Sequence, residues 1–267
     1  LGKILVVLDY FTESLLGFAA MIFPKREEQQ YIGISLSTIG ATSLKDFTST
    51  GADSYIILNE KIYEMEEDEG DLVTSFRWAA RKFKVPYNIH INTKSPCSKV
   101  LEETTYADLI IISSTFSYNH YLAEDFTILL KCSQCPVMIV PAPGVNVENI
   151  IIPIDEHVSS IGSLKMFSYL MSEFLAAKKV TILAKKPITE AEMEKEGYLI
   201  ELLTNHFVNP GFQWLLTDDP GSEVIEYMST VSNPLLVLGN NREQNKGSLF
   251  SYNDLSKMQT IPIFIGD

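Results

Sequence analysis

The segment YADLIIISSTFSYNHYLAEDFTILLKCSQCPVMIVP, from Tyr106 to Pro141, constrains this chain more than any other. Leu109 to Ile112 is an unbroken apolar run, as in a parallel strand buried on both faces. Ser113 to Asn119 is small and polar and reads as a loop. Tyr121 to Lys131 carries Leu122, Phe126, Leu129 and Leu130 at helical spacing, and Pro136 opens a second apolar run, Val137 to Val140. The same order returns later. Leu235 to Leu238 is a strand, Gly239 to Gly247 a loop, and Pro262, 126 residues after Pro136, opens the run that ends at Ile265. Strands alternating with helices give parallel sheets with right-handed crossovers, so the chain reads as two copies of one α/β architecture.

The rest of the sequence fits that division. In the first copy, Lys3 to Leu8 is a buried-type strand ending at Asp9. A helix with Leu15, Leu16, Phe18, Ala19 and Ile22 inward follows it, then a strand over Tyr31 to Leu36. The stretch 37–60 reads as an excursion with a further strand near Tyr55 to Leu58. Glu60 to Lys84 reads as helical with a weak point at Gly70, and Tyr87 to Ile91 as a strand. In the second copy, Ile150 to Ile154, Val180 to Ala184 and Phe212 to Leu216 are strands; Ser159 to Ala176 and Thr189 to Phe207 are helices. Ser95-Pro-Cys-Ser-Lys-Val-Leu-Glu102 and Asp219-Pro-Gly-Ser-Glu-Val-Ile-Glu226 match at an offset of 124 residues. Each pairs a capping residue with a proline at the first helical position, where the missing N–H costs nothing. The expected domains are residues 1–143 and 149–267, joined at Ala142 to Glu148 (APGVNVE). The length of 267 residues also suits two domains.

Composition removes several function classes. A formal net charge of −13 speaks against a sequence-independent nucleic-acid binder and against a polybasic membrane contact. No apolar run approaches the roughly 20 residues that span a bilayer. Leu1 to Leu8 reads as a strand rather than a signal peptide, with no charged leader and no small-residue cleavage site. Three cysteines make no disulfide framework, so the expected setting is reducing and cytoplasmic.

In a doubly wound sheet, ligands sit beyond the carboxyl ends of the strands where the strand order reverses. For five strands ordered 3-2-1-4-5, that point lies between the first and fourth strands. It gathers Asp9 with Ser113 to Phe116 in the first copy and Asp155 with Gly239 to Arg242 in the second.

The strands ending in Asp (ILVVLD, IIIPID), the ADLIII strand and the closing CPVMIVP resemble the universal stress protein family in its tandem two-domain form. That resemblance implies two flavodoxin-like, HUP-type domains, each with a five-stranded parallel sheet, and pairing of the closing strands PVMIVP and PIFIGD in an intramolecular pseudo-dimer. Nucleotide-binding members carry G-x2-G-x9-G-(S/T) after the fourth strand. The glycines admit phosphates to the backbone, and a helix N-terminus holds the anionic oxygens. The first copy departs from this pattern. Ser113 and Phe116 replace the first two glycines, and Ala123-Glu124 replaces Gly-Ser, with Asp125 adding negative charge against a phosphate. The second copy keeps Gly239, places Arg242 at the second glycine, and has Gly247-Ser248 eight residues after Gly239, closer than the family spacing. That loop is either a shortened phosphate cradle assisted by Arg242 and Lys246, or a polar turn. Asp9 and Asp155 stand where family members contact the nucleoside; the alternative is that each caps the turn that follows.

Other motifs carry less. Cys132-Ser-Gln-Cys135 lies at a helix C-terminus, where the dipole disfavours thiolate, and supplies only two of the four ligands of a structural zinc, so it reads as packing. His90, His120, His157 and His206 are scattered, and Asp155 with His157 is a weak metal pair, so no metal is expected. No GxSxG or HExxH is present. The acidic cluster Glu64 to Asp71 reads as a solvated helix face. The stretch Gly33 to Leu58 is similar to the adenosine-binding region of electron-transfer flavoproteins. The expected function is a non-catalytic binding or signalling module in stress response, taking a small ligand or a protein partner, with homodimerisation open. The alternative is an ATP-binding protein with slow hydrolysis or adenylate chemistry at Asp155, Gly239, Gly247 and Ser248.

Overall fold

The structure is a computed structural model. It describes residues 2–9, 11–23, 30–35, 56–59, 71–91, 96–117, 123–141, 145–154, 158–187, 189–208, 210–217, 219–240, 250, 254–255 and 258–266. The chain divides into two compact units, Leu1–Gly144 and Val145–Asp267.

Unit 1 contains the strands β1 (Lys3–Leu8), β2 (Gln30–Ser35), β3 (Ile56–Asn59), β4 (Tyr87–Ile91), β5 (Leu109–Ser113) and β6 (Val137–Val140). Their order is β3-β4-β2-β1-β5-β6. All pairings are parallel except that of β3, which runs antiparallel to β4 with Ile57 opposite His90. Without β3, the order is the expected 3-2-1-4-5. The expected five parallel strands are all present, and β3, on the run read as a further strand near Tyr55 to Leu58, adds a sixth. It covers the outer edge of β4, an edge that would otherwise present unpaired N–H and C=O groups.

The central strands are buried because they are apolar on both faces: Ile4 to Val7 and Leu109 to Ile112 are each 0% exposed. On one face lie α1 (Thr12–Ile22) and α2 (Asp71–Phe83). Helix α1 buries Leu15, Leu16, Phe18, Ala19 and Ile22. Gly17 lets α2 come close, since a Cβ there would stand 2.9 Å from Phe83 Cζ. Outside this seam, Lys82 pairs with Glu13 at 2.6 Å and lies over the Trp78 ring. Helix α3 (Pro96–Thr104) carries Glu103, which is 5% exposed and accepts from Lys3 Nζ at 2.7 Å while bonding His90 Nδ1 at 2.6 Å. A buried carboxylate needs such partners. Helix α4 (Ala123–Cys132) precedes β6. The helix read over Glu60 to Lys84 is described from Asp71 onward; Gly70, the Glu64 to Glu69 part of the acidic cluster and the Ser95 cap lie outside the described residues.

Unit 2 contains β7 (Asn149–Ile154), α5 (Val158–Leu170), α6 (Ser172–Leu175), β8 (Lys179–Lys185), α7 (Glu190–His206), β9 (Gly211–Leu215), α8 (Pro220–Thr230), β10 (Pro234–Gly239) and β11 (Ile263–Gly266). Its order, β11-β10-β7-β8-β9, is again 3-2-1-4-5, and every pairing is parallel. The single helix expected over Ser159 to Ala176 is interrupted at the buried Met171, whose φ of −108° and ψ of 15° lie outside helical values. Two helix starts follow the local rules. Thr189 and Glu192 form a capping box on α7. Asp219 caps α8 by accepting from the Ser222 amide, with Pro220 in the first turn.

One core group in unit 1 lacks a hydrogen-bond partner among the described residues. Tyr31 is 1% exposed, and its hydroxyl has no hydrogen-bond partner among the described residues; burial pushes its pKa up to about 12. An orphaned buried hydroxyl costs roughly 1–3 kcal/mol. The Tyr31→Phe variant is therefore expected to be more stable than the wild type, by about 1 kcal/mol, in a urea titration. A loss of stability would show that the hydroxyl is paired after all.

Candidate functional site

The switch point of unit 1 lies where β1 and β5 end side by side, with Ile4 beside Leu109 and Val6 beside Ile111. Asp9 follows β1 directly. Its Oδ1 accepts from the Phe11 amide at 2.7 Å, closing an Asx turn. Its backbone is locked to the start of α1 by Thr12, whose hydroxyl donates to Asp9 O at 2.6 Å and accepts from Asp9 N at 3.0 Å. Across the gap, Ser113 ends β5, and its hydroxyl bonds Thr115 Oγ1 at 2.7 Å. Thr115 Oγ1 in turn donates to Asp9 Oδ2 at 3.4 Å, so both carboxylate oxygens already have partners within the protein.

Burial is the main influence on Asp9 and raises its pKa; the Phe11 amide and the Ser113 and Thr115 hydroxyls pull it back only in part. A carboxyl whose folded pKa lies above its unfolded value favours the folded state when protonated. That advantage is full below the unfolded value, near 3.8, and is lost as the pH rises through the folded pKa. At neutral pH the ionised Asp9 is thus a net burden on the fold. The Asp9→Asn variant is expected to equal or exceed wild-type stability at pH 7, and the difference should shrink as the pH falls through the raised folded pKa and level off below 3.8 in denaturation series at several pH values. A variant destabilised at pH 7 and rescued by acid would reverse this assignment.

The remaining first-copy candidates fall on the chain just beyond. Phe116 lies in a 3-10 turn, Ser114–Ser117, and Ala123 and Glu124 open α4. Their side chains are outside the described residues. An acidic residue in the first turn of α4 suits the helix dipole where a phosphate would otherwise sit. Thr115 lies within the range Ser113 to Phe116 that the sequence places beside Asp9, while Thr12, which reads there only as a helix start, also bonds the Asp9 backbone. The signal for Thr12 was its spacing of three from Asp9, the spacing of a turn that side chains close.

In unit 2, Gly239 ends β10 beside β11 and in the strand next to β7. A Cβ at this position would stand 2.5 Å from Ser160 N and 2.6 Å from the Ser159 carbonyl carbon. Glycine is needed here because the first turn of α5 rests directly on the end of β10. The same contact is tightened by Ser163, whose buried hydroxyl donates to Leu238 O at 2.6 Å, and by Gly266, where a Cβ would come within 2.9 Å of Ser163 Oγ. Asp155, Arg242, Gly247 and Ser248 lie outside the described residues, as do His157 and most of the flavoprotein-like stretch. The close approach at Gly239 implies that Gly239→Ala destabilises unit 2 by about 3 kcal/mol through overpacking against backbone. Thermal or urea unfolding without any ligand checks this; an unchanged midpoint would free Gly239 from a packing role.

The CxxC pair does not form a reactive centre. Cys132 is exposed at the end of α4, while Cys135 is buried, and burial pushes its thiol up to about 12. Ser133 donates to Cys135 O at 2.6 Å and stands 3.7 Å from its sulfur. Among the described residues, no group of three or more His, Cys, Asp and Glu side chains is placed to hold a metal ion. No described helix is long and apolar enough to cross a membrane.

Comparison with solved structures identifies the class of fold. A universal stress protein from Archaeoglobus fulgidus DSM 4304 superposes with a TM-score of 0.59 at 10% identity, covering 100% of this chain and 98% of its own. A candidate universal stress protein from Pseudomonas aeruginosa UCBPP-PA14 superposes with a TM-score of 0.59 at 12% identity, covering 99% of this chain and 92% of its own. The chain therefore has the universal stress protein fold. No family model matches the sequence, and no curated protein does.

Proposed function

We infer that this chain is a tandem universal stress-like module of the cytoplasm. It binds a small ligand or a protein partner in stress response, without catalytic turnover and without a nucleotide site in unit 1. The observation that carries this reading is the use of Asp9 within the protein beside a strand end that lacks the family's glycines. Asp9 already engages the Phe11 amide and the Thr115 hydroxyl in the turn that starts α1, and no glycine follows β5 to admit a nucleotide's phosphates. The fold supports the family assignment.

A second reading, ATP binding in unit 2 through Asp155, Gly239, Arg242, Gly247 and Ser248, is favoured by one observation. Gly239 keeps a glycine at the carboxyl end of β10, next to β7, at the point where the strand order reverses. Against it, that glycine is already required by the first turn of α5.

Isothermal titration of ATP with Mg²⁺ separates the two, using the wild type, Asp9→Asn and Gly247→Glu. The proposal expects no binding that Asp9→Asn weakens, and no hydrolysis above the buffer rate. Saturable binding abolished by Gly247→Glu would establish the second reading. Binding abolished by Asp9→Asn would overturn the proposal for unit 1.

A further inference from the structure

The two units treat the same edge of the same sheet differently. In unit 1, the third strand of the 3-2-1-4-5 order is β4, and an added antiparallel strand, β3, covers it. In unit 2 the equivalent strand is β9, and β8 is its sole strand partner among the described residues. Strand edges left open in this way are commonly guarded by charge, proline within the strand or a bulge. The strand β9, GFQWL, has none of these. From Phe207 to Thr217 there is no charged residue in a chain whose net charge is −13.

The side chains along this edge are also unusually exposed for their type. Val208 is 84% exposed and Leu216 is 77% exposed, one on each side of the strand. Phe212 and Trp214 project from the same face, since they are two residues apart, and they are half-buried with ring centroids 4.7 Å apart. Gln213 lies between them, exposed and on the opposite face. The end of the strand is held in place: Glu223 accepts from the amides of Leu216 and Thr217 at 2.8 and 3.0 Å. The edge is therefore held in place, with no charge on the strand itself and the Glu223 carboxylate confined to its end.

We propose that β9 is the homodimerisation edge of this protein, pairing antiparallel with β9 of a second copy about a twofold axis at Gln213. The sequence of the strand is self-complementary in that register. Phe212 of each copy faces Trp214 of the other, two cross-strand aromatic pairs on one face, and the two Gln213 side chains meet on the other face. The absence of charge removes the repulsion that two acidic chains would otherwise meet. The β3–β4 pairing in unit 1 is the internal precedent, because it shows an antiparallel strand seated on the equivalent edge of the same fold. This inference rests on the fold and not on the nucleotide question.

Sedimentation velocity on the full chain at tens of micromolar is expected to show a dimer. Gln213→Lys sets like charges opposite each other at an exposed position, and it should weaken the dimer roughly fivefold or more while leaving the unfolding midpoint of the dilute, monomeric protein unchanged. Gln213→Cys, made in a Cys132→Ser background, should form an intermolecular disulfide on mild oxidation that the Cys132→Ser parent does not form. A wild-type monomer across this range overturns the proposal. So does a dimer that Gln213→Lys leaves intact and Gln213→Cys fails to cross-link, since its contact then lies on another surface.

Discussion

Burial of parallel strands on both faces is the constraint on which everything else in this protein rests. A strand paired on both sides and covered above and below has no room for alternation, so it must be apolar throughout. Ile4 to Val7, Leu109 to Ile112 and Leu235 to Leu236 are all fully buried and meet that demand. Because these runs lie at the centre of each sheet, their carboxyl ends define where the chain turns and where polar groups first become admissible. Asp9 and Gly239 stand at those points.

At both points the chain has used the space itself. In unit 1 the hydroxyls of Thr12 and Thr115 and the Phe11 amide gather around Asp9, so the crevice between β1 and β5 is bridged by side chains. In unit 2 the backbone of α5 at Ser159 and Ser160 lies against Gly239, and Ser163 reaches the Leu238 carbonyl. Small residues on α5 and glycines at the ends of β10 and β11 make that approach feasible. A glycine at a switch point is open to two physical explanations, approach of a phosphate or approach of a helix. Here the helix is present and in contact.

The two units share a strand order yet differ at its margin. In unit 1 an extra strand lies antiparallel on β4, and in unit 2 β9 has no such cover among the described residues. Helix α7 shows the same openness, since Leu203 is buried while Met193, Tyr198 and Ile200 are 55%, 64% and 45% exposed. An internal repeat sets the connectivity of both copies, but divergence at edges and loops leaves each with a different surface to offer.

The sequence by itself determined the α/β class and most helix boundaries, because these follow from apolar runs, capping residues and prolines that act locally, whereas the strand order came with the resemblance to a doubly wound fold. Thr189 with Glu192, and Asp219 with Pro220, fix their helix starts through contacts within one turn. The tertiary structure alone decided what Asp9 and Gly239 do. The partners of Asp9 include Thr115, 106 residues away, and the neighbour that requires a glycine at 239 is the backbone of a helix some 80 residues earlier. No local pattern encodes contacts of that range. The covered edge of β4 was half legible, since the run near Tyr55 to Leu58 suggested a strand, but its antiparallel seat beside β4 depends on which edge stood open once the sheet had formed.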